Sequence, residues 1–350
     1  VNHYCTYFDR GYLVRGVALW LSLKRHDPAA VLWALCLDEV AIQAVQELGE
    51  VGLRGISLAE FEAADPELLA VKPSRSRAEY CFTISPCLPR WLLRQQPGIE
   101  VITYLDADMA FFSDPAPLFA ELGGNNALIV EHRFPEFLRH YEAYGRFNVG
   151  VLCFRNNAEG RRCLDWWREQ CLAWCHDRIE DGKFADQKYL DQWPRLFSGI
   201  VVCRHPGVDL APWNWMNYRY RFLPDQLLVD VQGLIVFHFA LFKPRGRFIF
   251  DSGQLEFGVM PLRLRSWLYG RYFALLEEAR QRVKTLAPEA SHRVSRGRAA
   301  TWSTLLLELI FGPVWLRLGP LWLSGHCGLG RFSGRILAWA RHKQKRKKAG

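Results

Sequence analysis

Over its first sixty residues the chain repeats one pattern: a short β-branched and aromatic run, a turn signal, then a stretch with helical spacing. The apolar runs cover 3–8, 31–37 and 53–58, and between them lie amphipathic stretches at 13–24, with Val14, Val17, Ala18 and Leu21 on one face, and at 40–48. Runs this short and this apolar suit strands covered on both sides, and the intervening stretches suit the helices that cover them. The alternation predicts a parallel sheet with helices on both faces, so ligands are expected at the carboxyl ends of its strands. Further along, the pattern predicts a helix over 77–94 interrupted at Pro86 and Pro89, a strand over 100–105 and a short helix after Asp114-Pro115. Then come strands over 127–131 and 147–154, a long helix over 158–176, a short helix over 184–193, a strand over 234–238 and a helix over 263–284. The expected fold class is α/β, with a mixed, mostly parallel sheet flanked by helices.

Hydrophobic residues make up 50% of the 350, which excludes a disordered chain. The net charge of +9 is a property of one end. From Arg293 to Gly350 there are twelve Lys and Arg against the single acid Glu308, while the first 292 residues are close to neutral. Nucleic-acid binding through the tail therefore ranks last among the readings, because the body is near neutral and the segment beside the tail is rich in Trp. Ten cysteines are scattered without a Cys-x-x-Cys pair, which favours a reduced, cytosolic setting. Cys171, Cys175 and His176 stand close together but among Trp166, Trp167 and Trp174, so packing is expected there rather than zinc. No secretory signal pattern opens the chain, and its first residue is Val1, not Met, which leaves room for a missing N-terminal piece.

The strand over 100–105 ends in Asp106-Ala107-Asp108. If the backbone stays extended, residues i and i+2 project to one side and the two carboxylates converge. Such a pair repels unless one acid takes up a proton or a cation enters, and oxygen ligands suit magnesium or manganese. With 16 Asp in the chain, about 0.7 such pairs arise by chance. Only the position at a strand end gives the pair weight.

Four other segments fall into order around it: Thr6-Tyr7-Phe8-Asp9-Arg10-Gly11-Tyr12, Phe147-Asn148-Val149-Gly150-Val151, Phe184-Ala185-Asp186-Gln187, and Phe237-His238-Phe239 with Lys243-Pro244. In this order and spacing the chain resembles the GT-A nucleotide-sugar glycosyltransferases, most closely the retaining family 8 type, over residues 1–245. The resemblance implies that Asp106 and Asp108, with His238 as third ligand, hold Mn2+ or Mg2+ against the diphosphate of a nucleotide-sugar, most simply a UDP-sugar. It implies that Thr6, Asp9 and Tyr12 grip base and ribose, that Arg77 touches donor phosphate or sugar, with Arg75 an equally placed candidate, and that Asn148 and Gly150 line the donor pocket. Asp186 and Gln187 would lie beside the anomeric carbon as the catalytic pair. Lys243 would meet the diphosphate, but it stands one residue nearer His238 than the family pattern has it, so Arg245 or Arg247 could share the role.

The acceptor is implied to be a glycan or glycolipid, with Trp213, Trp215, Tyr218 and Tyr220 as stacking candidates. The expected organisation is a GT-A catalytic domain over 1–250, a helical extension over 251–300, and an amphipathic, Trp-rich segment with a polybasic end over 301–350. Glu308, Arg317, Gly312-Pro313 and Gly319-Pro320 interrupt the apolar stretch that a spanning helix of about 20 residues requires. The expectation is therefore an interfacial segment with Trp302, Trp315, Trp322 and Trp339 at headgroup depth. The basic residues of 341–348 would add attraction to an anionic membrane, placing the protein on the cytoplasmic, inner face as a peripheral protein. A catalytically silent sugar-nucleotide binder or membrane scaffold of the same fold is the alternative.

Overall fold

The computed structural model describes residues 1–244 and 249–288, together with two short strands, Val314–Leu318 and Leu321–Ser324. The rest of the tail, with most of the expected interfacial segment including Trp302 and Trp339, its basic end, Arg245 and Arg247, lies outside the described residues, while Trp315 and Trp322 stand on the two short strands.

The predicted alternation is present. Strand β1 (His3–Phe8) leads into helix α1 (Leu13–His26), β2 (Val31–Cys36) into α2 (Glu39–Leu48), and β3 (Leu53–Ser57) completes the first half. Local chemistry fixes the helix ends. At α2 the Asp38 carboxylate accepts from the Ala41 amide, and Gly49 closes the helix in the left-handed region at φ 59°. The next long helix, α3 (Arg77–Gln95), opens on a capping box between Ser76 and Glu79. It runs unbroken through Pro86 and Pro89, where the sequence predicted an interruption. Both prolines are buried, so packing of that face offsets the cost of the missing amide donors.

After α3 come β4 (Val101–Leu105), β5 (Met109–Phe111), β6 (Ala127–Glu131), β7 (Phe147–Arg155), helix α4 (Ala158–Ala173) and β8 (Ile200–Val202). Seven strands form one sheet in the order β3-β2-β1-β4-β7-β6-β8. It is parallel from β3 to β4 and between β6 and β8, and antiparallel where β7 meets β4 and β6. Strand β5 leaves this sheet and pairs antiparallel with β9 (Val236–His238), setting His238 opposite Met109.

Two apolar layers sandwich the sheet. One holds Tyr4, Trp20 and Phe111, and the other Tyr104, Trp167 and Trp193. The predicted C-terminal helix is α5 (Leu262–Val283), and it shares the first layer: Leu264, Leu268, Tyr269, Tyr272 and Phe273 are buried there, with Tyr272 stacked on Phe239. The stretch 184–193 is a turn followed by a 3-10 helix, Lys188–Gln192, where a continuous helix was expected. In the tail, Val314–Leu318 pairs antiparallel with Ile249–Asp251 and with Leu321–Ser324. Among the described residues no helix is long and apolar enough to cross a membrane.

Candidate active site

The carboxylates converge through a turn, not through an extended strand. The Met109 amide donates to the Asp106 carbonyl at 3.2 Å, closing a turn over 106–109, while the Asp106 amide is tied to the Gly150 carbonyl at 3.0 Å. The β5–β9 ribbon then brings in a residue from 130 positions downstream: the Phe239 amide donates to the Asp108 carbonyl at 2.9 Å. His238 is thereby delivered to the acid turn by backbone pairing. Its Nε2 lies 3.2 Å from Asp108 Oδ1 and 3.6 Å from Asp106 Oδ2. Among the described residues this is the one cluster whose ligand atoms, one from each residue, lie within 4.8 Å of one another. The Tyr104 hydroxyl donates to Asp106 at 2.9 Å and orients it.

Charge is what this corner lacks balance for. Burial pushes Asp106 up to about 6; the facing His238 works against the shift and the Asp108 charge adds to it. Burial raises Asp108 too, but His238, which also hydrogen-bonds it, and Arg15 outweigh that and hold it below the ordinary carboxylate value. Burial disfavours the His238 imidazolium, yet Asp108 and Asp209 hold its proton affinity well above that of an ordinary histidine. A proton on the imidazole is thus the counter-charge of two acids. Two hard oxygen donors and one imidazole nitrogen facing a common point fit a manganese or magnesium ion in its place.

Asp186 lies close enough to feel the Asp106 charge and, among the described residues, has no ion-pair partner. It is 5% exposed, it follows Ala185 in the left-handed region at φ 46°, and its carbonyl accepts from the Trp167 indole at 2.8 Å. Burial, with the Asp106 charge adding to it, pushes Asp186 up to about 7. Gln187 donates to the Tyr144 carbonyl at 3.1 Å. Asn148 turns its polar atoms inward: Oδ1 accepts from the Gly150 amide at 2.7 Å and Nδ2 stands 3.1 Å from His132 Nε2 and 3.5 Å from Gln187 Oε1. Burial pushes His132 down to about 4. The neutral ring donates from Nδ1 to the Arg146 carbonyl and accepts the Asn148 amide at Nε2. Gly150 is required for close approach, since a Cβ there would meet Met109 and Asn148 and come within 2.9 Å of His238 Nδ1.

On the other side, the Asp9 carboxylate accepts the Tyr12 amide at 3.0 Å and pairs with Arg77, whose side chain is 66% exposed. Arg75 is turned away to His176 and the Leu172 carbonyl, so of the two it is Arg77 that meets the Asp9 loop. Lys243 is exposed on the short strand Lys243–Pro244. Thr6, by contrast, is wholly covered within β1 and offers a ligand no surface.

No family model matches the chain. It is 32% identical over 248 residues to YfnF of Bacillus subtilis, covering 69% of this chain and 81% of that protein, and 31% identical over 243 residues to YfnD of the same organism, covering 69% and 78%. The chain belongs to the YfnF family. Both relatives are described as uncharacterized proteins. Among solved structures it is similar to the galactosyltransferase LgtC in complex with donor and acceptor sugar analogues, at 17% identity and a TM-score of 0.46, over 79% of this chain and 95% of that one.

In this member of the YfnF family two of the four stacking candidates, the tryptophans, are corrected. Trp213 and Trp215 are 5% and 1% exposed, the first packed edge-on against His238 and His132 and the second within the core, so neither presents a free face. Tyr220 is tied by its hydroxyl to the Trp215 carbonyl, and Tyr218 lies under the Arg133 guanidinium. Cys171 and Cys175 are fully buried, as packing requires, while His176 pairs with Glu79. Sequence reasoning missed two charged residues. Arg15, in the first turn of α1, lies over the Tyr12 ring at 4.2 Å and donates to the Phe242 carbonyl at 2.7 Å. Asp209, fully buried, stands behind His238. Arg15 follows directly on the Asp9–Tyr12 loop, which was a usable signal; Asp209 lies in no motif.

Proposed function

We propose that the chain is a metal-dependent glycosyltransferase of the GT-A type that moves a sugar from a nucleotide-sugar, UDP-linked, to a glycan or glycolipid acceptor with retention of configuration. The observation that carries this reading is the meeting of Asp106, Asp108 and His238 at the end of β4. The ordered motifs of the sequence support the rest, retention included.

Breaking a sugar–phosphate bond loads negative charge on the departing diphosphate and leaves the sugar with oxocarbenium character. Asp106, Asp108 and His238 would hold a manganese or magnesium ion, which when bound supplies Lewis-acid stabilisation of the diphosphate charge. The chain's own residues do the remainder. Arg77, whose exposed side chain pairs with Asp9, re-pairs with donor phosphate. Asp186, whose carboxyl burial pushes up to about 7, when ionised stabilises positive charge on the anomeric carbon from the buried side, with Gln187 beside it to hydrogen-bond a sugar hydroxyl. Lys243 adds a cation at the mouth.

The test is release of UDP from UDP-glucose and UDP-galactose with manganese and a pool of candidate acceptors. Turnover that EDTA removes and that Asp108→Ala lacks is the expected result. Unchanged turnover in Asp108→Ala overturns the assignment, and tight binding of UDP with manganese but no turnover on either donor favours the silent binder. Attachment of the basic tail to an anionic membrane is part of the proposal, supported by its composition; failure of the full chain to float with anionic liposomes removes that part.

A further inference from the structure

We propose that Asp209 is the positioning residue that presents His238 to the metal, an inference that rests on the metal-site reading above. His238 Nδ1, the ring nitrogen turned away from the acid pair, stands 3.3 Å from Asp209 Oδ1. The contact is close but off the alignment of a good hydrogen bond, and among the described residues neither Asp209 oxygen nor Nδ1 has another polar partner. Asp209 is 0% exposed. A buried carboxylate left without hydrogen bonds is costly, so a chain that keeps one has something for it to do.

Its backbone shows that the placement is built. Asp209 has φ 56°, in the left-handed region where a residue with a side chain is strained. The Asp209 carbonyl is clamped by two side chains, one of which is itself anchored to a neighbouring carbonyl. Asn214 Nδ2 donates to the Asp209 carbonyl at 3.0 Å, Arg133 Nη2 donates to the same carbonyl at 3.2 Å, and Arg133 Nη1 donates to the His205 carbonyl at 3.2 Å. The next residue is tied to the strand that carries the ligand: Leu210 bridges to Phe237, and the His238 amide donates to the Leu210 carbonyl at 2.8 Å. The carboxylate is therefore set behind the imidazole by the same backbone pairing that brings the imidazole to Asp106 and Asp108. Trp213 edge-on at 5.2 Å and Gly150 beneath confine the ring.

A carboxylate on Nδ1 favours the tautomer with hydrogen there, which leaves the Nε2 lone pair facing the acid turn, and it raises the donor strength of that nitrogen. Asp209 touches neither substrate nor ion and acts through His238 alone.

Manganese affinity of the full chain, followed by loss of the free-ion EPR signal, tests this in wild type, Asp209→Asn, Asp209→Gly, His238→Ala and the Asp209→Asn/His238→Ala double variant. Asp209→Asn is expected to weaken binding by about 10- to 100-fold. Asp209→Gly, which suits the left-handed backbone, is expected to weaken it similarly while unfolding at no lower urea concentration than wild type. The double variant should bind no more weakly than His238→Ala alone, because the effect passes through that ring. If either Asp209 variant binds manganese as wild type does, or if Asp209→Asn weakens binding by the same factor with and without His238, the positioning role is overturned. Absence of manganese binding by wild type overturns the metal-site reading itself, and with it this inference, an outcome distinct from binding that Asp209 does not influence.

Discussion

The pocket has two acidic corners, and they handle the same side chain in opposite ways. At the acid turn, Asp106 and Asp108 share His238, and the imidazole pulls Asp108 below the ordinary carboxylate range even though both acids are desolvated. At the Asp186 corner no cation is in contact among the described residues, and burial, with the Asp106 charge adding to it and a hydrogen bond from Ser85 working against it, carries the carboxyl up to about 7. The first corner is arranged for a positive ion. The second holds a buried acid without a cationic partner among the described residues, which under the proposed function would face the positive charge of the sugar. Separating two carboxyl environments in this way is how one pocket assigns different tasks to one residue type.

The sharpest break of this comparison is Asp108→Ala. It removes a ligand and leaves His238 facing one acid, so UDP release from the donor should fall by roughly 1,000-fold or more, with manganese affinity falling too. Asp186→Asn should also cost activity, by about 100- to 1,000-fold, but with manganese affinity unchanged. Equal loss of metal binding in both variants would show that the corners are not separate.

Stability separates them further, and the sign can be worked out. Asp186 has a folded-state value of about 7 against an ordinary 3.8. Between those values the folded state keeps a proton that the unfolded chain has released, so stability falls as pH rises from about 4 to about 7 and levels off above. Replacing the acid by Asn deletes that penalty. Urea unfolding at pH 8 should find Asp186→Asn more stable than wild type, by up to about 4 kcal/mol, with the difference vanishing near pH 4. Lower stability of the variant at pH 8 would contradict the buried, uncompensated carboxyl. A variant that gains stability while losing activity is the usual sign of a residue kept for function.

Gly150→Ala probes the boundary between the corners. The added methyl meets the mobile end of Met109, the Asn148 oxygen that accepts from the Gly150 amide, and the confined His238 ring, so a stability loss of about 1–3 kcal/mol is expected. Manganese affinity should fall by about 10-fold as His238 is displaced; affinity equal to wild type would mean that the ring is not confined from below.

What could be read beforehand follows the same division. The βαβαβ half was legible because each strand and helix carries its own period, and the acid turn with His238 was legible because its residues stand in an ordered set of motifs. The geometry of that turn was not. An extended Asp106-Ala107-Asp108 was expected, whereas the amide bonds to Gly150 and Asp106 carbonyls fold it over, and both depend on where β7 and β5 lie. Asp209 left no trace in the sequence, since its role comes from a left-handed backbone and two clamps, Arg133 and Asn214, distant or unpatterned in the chain. The tryptophans at 213 and 215 misled because composition does not say which face of a ring is covered.

Arg77 gives the smallest and most selective test. Its pair with Asp9 lies at the rim, with two-thirds of the Arg77 side chain in solvent, so as an ion pair it is worth under about 1 kcal/mol and weakens with salt. Arg77→Ala should leave the urea midpoint and manganese affinity unchanged. If Arg77 exchanges Asp9 for donor phosphate, the variant raises KM for the nucleotide-sugar by about 10-fold at low salt, a loss of roughly 1.4 kcal/mol of binding, and the difference from wild type narrows as ionic strength rises. The control is Arg75→Ala: that guanidinium is committed to His176 and the Leu172 carbonyl, so the expected change is in stability and not in KM. A KM effect from Arg75 instead of Arg77 would move the phosphate contact to the other side of the Ser76 cap and separate it from the acid turn altogether.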